Sequence, residues 1–202
     1  MANRPYRQQI RAQKTAETHQ RILGAAQQLL TSGKAFNMES VARRAGVSRV
    51  TVYSQFGDRG RLREAVYDRL ADSGGLRAIP TAFAAADPVD AILRLAEIFC
   101  HFYATHRQVL RRLNGFAALA AGAGERPPGR NQRRRHILTL LVARLSKAPG
   151  YNPMDPQLIT GQLYALTSFE FYDQLASSKS GAGPCDTLAD LIRSFLTSDR
   201  RP

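Results

Sequence analysis

Apolar residues recur along this chain at intervals of three and four, the period of a helix with one buried face. Ile22, Leu23, Ala26, Leu29 and Leu30 form one such stripe and predict a helix from Thr18 to Leu30, ended by Gly33. Leu62, Ala65, Val66 and Leu70 predict another over about 59–72, broken by Ser73-Gly74-Gly75. Pro88, at a position proline favours in a first turn, opens a helix to about Thr105 with Ile92, Leu95, Ala96, Phe99, Phe102 and Tyr103 inward. Val109, Leu110, Leu113 and Phe116 predict a shorter one over about 107–120. Loops are predicted at 122–130 and 148–153, with a helix over about 131–147 between them. Asp155 caps a long helix to about Ser177, and a last helix runs from Asp186 to Ser198. No stretch sustains the period-two alternation of a strand, and no internal repeat is present. The fold class is all-α.

Residues 37–59, NMESVARRAGVSRVTVYSQFGDR, predict a helix, a three-residue turn and a second helix, followed by the start of a third. Asn37 is a good N-cap, and Val41 and Ala45 lie four apart on one face. Ala42 is small enough for a second helix to cross closely. Gly46 stands where a turn between two helices needs positive φ. Ser48 caps the next helix, whose buried stripe is Val52 and Phe56. Arg49, Val50, Thr51, Tyr53 and Ser54 are left on its other faces. A short helix showing arginine, hydroxyls and a tyrosine to solvent is what reading a DNA major groove requires.

Charge sharpens this picture. The 202 residues carry a formal net charge of +13. Residues 1–70 hold 13 Lys/Arg against 5 Asp/Glu, so most of the excess surrounds the helix-turn-helix segment. That balance suits a polyanionic partner bound through phosphate contacts and counterion release. Residues 1–17 lack an apolar stripe and read as a flexible basic arm, not a secretion signal. No apolar run approaches the roughly 18 residues of a membrane-spanning helix. Cys100 and Cys185 show no CxxC spacing, so they suggest neither a zinc site nor a disulfide framework. Such a composition fits a reducing, cytoplasmic setting.

At this point the residues resemble a family. The block VARRAGVSRVTVYSQFGDRGRL, with RILGAAQQLLTSG upstream, is similar to the DNA-binding signature of the TetR (tetracycline-repressor) family of bacterial transcriptional regulators. The likeness is specific over 18–70 and architectural beyond. It implies a flexible arm at 1–17, a three-helix DNA-binding domain at 18–72, and a helical ligand-binding and dimerisation domain at 73–202. It implies a homodimer on a palindromic double-stranded DNA operator, most often a repressor released by a small apolar or amphipathic molecule, with no cofactor. By position, Ser48, Arg49, Val50 and Thr51 face bases or adjacent phosphates. Tyr53, Gln55 and Arg59 hold the backbone, as does the start of the preceding helix at Asn37 and Met38. The chain departs from the family in a first turn one residue shorter, in Asn37 for the usual Ser/Thr cap, in Val50 for glycine and in Gln55 for histidine. Val50 then suits contact with a thymine methyl.

In the second domain Phe99, Phe102, Tyr103, Phe116 and Tyr164 are candidates for an apolar effector pocket, against plain core packing. Glu170, with Asp173, lies in the apolar stretch ALTSFEFYDQL, where a carboxylate could meet a cationic ligand, pair across the dimer or point at water. Arg133-Arg134-Arg135 reads as a solvated face or an anion-capturing one. Glu97, Cys100, His101 and His106 cluster in sequence, but their placement argues against a metal site, and none is assigned. Leu158, Leu166, Phe169, Leu188, Leu191, Ile192 and Phe195 give the two terminal helices apolar faces for a subunit interface. Two other functions compete: a non-specific nucleoid or RNA-coating protein, and a small helical enzyme. The chain carries no nucleophile elbow, P-loop, dinucleotide fingerprint or HExxH, so no catalytic residue is assigned.

Overall fold

The structure is a computed structural model that describes residues 3–121, 129–149, 151, 155–178 and 181–198. Every regular element among them is helical: α1 (Asn3–Ser32), α2 (Met38–Ala45), α3 (Arg49–Phe56), α4 (Arg59–Ser73), α5 (Ile79–Phe83), α6 (Pro88–Ala121), α7 (Gly129–Leu145), α8 (Pro156–Leu166), α9 (Phe169–Leu175) and α10 (Pro184–Ser198). The predicted loops at 122–130 and 148–153 fall largely outside the described residues. The chain forms two compact units. One comprises the residues up to Leu70 together with Arg111–Ala117, and the other Ala71–Leu110 with the chain from Ala118 on.

The first unit is built as the apolar pattern dictates. Ile22, Leu23, Ala26, Leu29 and Leu30 of α1, Val41, Ala42 and Ala45 of α2, Val52 and Phe56 of α3, and Leu62, Val66 and Leu70 of α4 are all buried, with α2 packed on both α1 and α3. Each such aliphatic side chain contributes about 1.5–3 kcal/mol on burial. Phe36 completes this core beside Phe116, with ring centroids 5.6 Å apart. Asn37 caps α2: its Oδ1 accepts from the Ser40 N–H at 2.8 Å, while Ser40 Oγ accepts from the Asn37 N–H at 3.1 Å. Gly46 ends α2 at φ 63°, a left-handed conformation that costs a side-chain-bearing residue about 1–2 kcal/mol. Val47 N–H then donates to the Ala42 carbonyl at 3.1 Å. Ser48 Oγ accepts from the Thr51 N–H at 3.0 Å and starts α3.

One part of this unit differs from expectation. Residues 3–17, read as part of a flexible arm, are helical and continuous with α1. Pro5 sits where the first turn tolerates it, and the segment is otherwise rich in Gln, Arg, Ala and Lys, which favour helix. Almost all its described side chains are exposed, so it carries no apolar stripe from which its helicity could have been read.

The second unit holds a core of Ile92, Leu95, Phe102, Leu110, Leu138, Leu141, Leu145 and Leu163. The predicted break after Thr105 falls at His106 (φ −115°, ψ 15°), which interrupts α6. A short 3-10 turn, Leu76–Ala78, and α5 follow Gly75, where no element was expected. The single helix expected from Asp155 to Ser177 is two. Asp155 caps α8, Thr167 ends it, and Ser168 Oγ caps α9 by accepting from the Phe171 N–H at 3.1 Å. Buried side chains satisfy the interruption. The Tyr103 hydroxyl donates to the Thr167 carbonyl at 3.0 Å, and Arg134 Nη1 donates to the Tyr164 carbonyl at 3.0 Å.

Arg134 is thus not part of a solvated face. It is 8% exposed, stacks 4.1 Å from the Tyr164 ring centroid and serves the end of α8, while Arg133 and Arg135 stay exposed. Asp173, weighed as a ligand partner, binds Arg107 Nε at 2.6 Å. The two cysteines are also corrected. Cys100 of α6 and Cys185 of α10, 85 residues apart, form a disulfide with Cα atoms 5.7 Å apart. Tertiary packing alone brings them together, which no local spacing reveals.

His106 sets a pH dependence for this unit. Its Nε2 is buried without a hydrogen-bond partner among the described residues. Burial, and secondarily the charge of His101, hold the imidazole below its ordinary 6.5. The folded chain therefore binds this proton less readily than the unfolded one. The neutral form's stability is complete above 6.5 and is lost as pH falls below it. The melting temperature of the wild type is expected to drop more between about pH 7.5 and 5.5 than that of His106→Phe, measured by circular dichroism. Equal drops would show that His106 bears no such load.

Candidate nucleic-acid interface

The two buried residues of α3 decide which way the rest of it faces. With Val52 and Phe56 inward, Arg49, Val50, Tyr53 and Ser54 are exposed, and Thr51 is half-buried beside Ser48. Val50 is 77% exposed. An apolar side chain held that far into water has no role in this unit's core. Arg49 lies along the same ridge. Its Nη2 donates to the Tyr53 hydroxyl at 3.3 Å, and its Cζ stands 5.4 Å from that ring's centroid. The hydroxyl's hydrogen bond raises the Arg49 pKa further, so the ridge presents a fixed cation. The pairing also orients the guanidinium fork.

The remaining predicted DNA-facing residues divide. Arg59 is exposed at the start of α4, 6.0 Å over the Phe116 ring. Asn37 is exposed, with its oxygen engaged in capping α2. The Met38 side chain is buried, so it offers no side-chain contact to a partner. Gln55 is half-buried, and its Oε1 stands 3.2 Å from His19 Nδ1. The oxygen of this carboxamide is thus engaged within the unit. His19 also stacks on Phe56, with centroids 4.5 Å apart. It is a positioning residue for α3 that sequence reading missed, because 36 residues separate it from Gln55. Further exposed cations, Arg7, Arg11, Lys14 and Arg21 on α1 and Arg43 and Arg44 on α2, extend the basic character of this unit.

Of the effector candidates, the structure gathers three. Phe99, Phe102 and Tyr103 are buried together, and Phe169 and Tyr172 join them with Tyr103 at 5.5 and 5.7 Å between centroids. Phe116 is not among them, since it packs on Phe36 in the first unit. Tyr164 lies under the Arg134 guanidinium. Glu170 is exposed in the first turn of α9. The interface candidates also separate by face. Leu188, Ile192 and Phe169 are buried in the subunit's own core, and Leu166 and Phe195 are half-buried. Leu158 and Leu191 are 51% and 42% exposed.

These observations define an all-helical protein with a capped helix-turn-helix whose second helix is open to a partner. Comparison with solved structures is more specific. The chain is similar to a TetR-family transcriptional regulator from Pectobacterium atrosepticum (TM-score 0.66, 15% identity, 94% of this chain and 97% of that one). It is similar also to the TetR-family regulator PfmR from Thermus thermophilus (0.61, 18%, 87% and 96%). A third likeness is to AibR, solved in complex with isovaleryl coenzyme A and operator DNA (0.59, 14%, 89% and 97%). No protein-family profile and no curated protein sequence matches the chain. The fold is that of the TetR-family transcriptional regulators.

Proposed function

We propose that this chain is a ligand-responsive, DNA-binding transcriptional regulator, most simply a cytoplasmic repressor that leaves a palindromic operator when a small molecule binds its second unit. The observation that carries the reading is the outward face of α3, where Arg49, Val50 and Tyr53 project from a helix fixed on its other side. The fold supports it, as does the excess of 13 Lys/Arg over 5 Asp/Glu in residues 1–70. An eight-residue helix reads only a few base pairs. Two copies spaced ~34–36 Å apart, one turn of DNA, give a usable site length, which calls for a homodimer. The exposed Leu158 and Leu191, flanked by Leu166 and Phe195, are the residues we assign to subunit pairing. We place contact with an apolar or amphipathic effector beside the buried aromatic cluster of Phe99, Phe102 and Tyr103. A ligand that prefers one arrangement of the subunits shifts operator affinity about 5–150-fold for a coupling of ~1–3 kcal/mol.

Selection of bound sequences from random DNA is expected to return one inverted repeat, preferred over bulk DNA by about 10³-fold or more. Binding should weaken about 10³-fold or more between ~50 and ~200 mM salt, as for a protein that neutralises 6–10 phosphates. A chain that returns no repeat and coats all duplexes or RNA alike is a nucleoid or RNA-coating protein instead. A screen of the purified protein that finds turnover without DNA selection returns the enzyme reading.

A further inference from the structure

The Cys100–Cys185 pair has no part in the helix-turn-helix face of α3, and the cytoplasmic regulator proposed above would hold it in a reducing compartment. There a disulfide is ordinarily transient and redox-sensing. The two sulfurs differ in access: Cys100 is 1% exposed within α6, and Cys185 is half-buried in the first turn of α10. Their Cα separation of 5.7 Å lies inside the range of about 4.4–6.8 Å in which a disulfide closes without moving backbone. The chain enters α10 through Gly181-Ala182-Gly183, which has almost no side chain to anchor it. Leu188, Ile192 and Leu196 hold the rest of α10 in the core. The bond is therefore a clasp on the N-terminal end of a helix that stays in place without it. The same helix carries Leu191 and Phe195.

We propose that Cys100 and Cys185 are a redox-modification site, a thiol pair closed by hydroperoxides and opened by dithiols, whose state fixes the start of α10 and thereby sets operator affinity. The last clause rests on the regulator reading. In the closing reaction the accessible Cys185 thiolate attacks the terminal peroxide oxygen. The S–O bond forms, the O–O bond breaks, and the alcohol (water, from hydrogen peroxide) leaves with a proton. The Cys100 sulfur then attacks the sulfenic sulfur of Cys185: S–S forms, S–O breaks, and water leaves. Two thiols lose two electrons and one peroxide gains them. A dithiol reverses this through a mixed disulfide at Cys185 and departs as a cyclic disulfide.

The test uses the full chain treated with dithiothreitol or with hydrogen peroxide. Alkylation and mass spectrometry are expected to count two thiols after reduction and none after peroxide, with one intrachain Cys100–Cys185 peptide. The closed form should melt about 5–15 °C higher. Its operator affinity should differ from that of the open form by about fivefold or more, and Cys185→Ser should bind equally in both treatments. Thiols that stay free under peroxide overturn the inference outright. Affinities equal within twofold overturn the switch while leaving the regulator reading intact. If neither form selects an operator, that reading fails and takes the affinity clause with it, whatever the thiols do.

Discussion

Arg49→Ala is expected to weaken operator binding about 5–150-fold, the worth of one good arginine contact at ~1–3 kcal/mol. The melting temperature should not move, because Arg49 is exposed and, among the described residues, bonds to Tyr53 on its own helix. The pattern of loss says what Arg49 touches. If it reaches a base edge, selection with the variant relaxes at one position of each half-site. If it reaches a phosphate, affinity falls uniformly and the salt dependence flattens by about one ion per site. Arg49→Lys keeps the charge and loses the fork, so it separates the two again: it should cost far less at a phosphate than at a guanine edge. Tyr53→Ala removes the group that orients the guanidinium. Its effect should therefore not add to that of Arg49→Ala. Gel-shift titrations of the wild type, the three single variants and the Arg49→Ala/Tyr53→Ala double variant on the selected site give all of these quantities. Wild-type affinity for both Arg49→Ala and Tyr53→Ala would remove α3 from the interface.

The helix-turn-helix around α3 was legible in the sequence because everything that builds it is local. Asn37 and Ser48 cap their own helices, Gly46 takes the one left-handed conformation between them, and Val52 and Phe56 lie four residues apart. Such signals act over one turn of chain. What stayed hidden was decided by partners far away. Residues 3–17 form a helix with no apolar stripe, and polarity without period looks the same in a helix and in a loose arm. Ser168 caps α9, but the apolar run around it keeps its period straight through the break, which only Tyr103 and Arg134 reveal by taking the carbonyls there. Arg134 is indistinguishable in sequence from Arg133 and Arg135. Leu188 and Leu191 are three apart on α10, yet one is in the core and one faces out. The sequence does not say which face of a doubly apolar helix its own subunit takes. Cys100 and Cys185 are the extreme case, invisible as a pair until the helices are packed.

The other large effect is expected from Phe56→Ala, which should cost about 3–5 kcal/mol of stability. Phe56 is 6% exposed, and its ring stacks on His19. The loss is a large share of the ~5–15 kcal/mol typical of a whole domain. Operator binding should fall as well, although Phe56 is buried and is not among the exposed residues proposed to read DNA. An eight-residue helix is too short to persist alone, since about 12–15 residues are marginal in water. Val52 and Phe56 are its only buried residues. Once Phe56 is truncated, His19 loses its stacking partner and Gln55 the neighbour that positions its hydrogen-bond partner. Apparent affinity then scales with the fraction of molecules in which α3 is still in place. This origin separates the variant from Arg49→Ala. An excluded osmolyte such as sucrose favours the packed state and should restore much of the lost binding to Phe56→Ala, but none to Arg49→Ala. Phe56→Leu, which refills most of the volume, should keep most of both properties. Urea melts and gel shifts with and without osmolyte decide it. If Phe56→Ala melted like the wild type, this face would not be what holds α3. If osmolyte rescued the two variants equally, the separation between a reading face and a supporting face on this one helix would be lost.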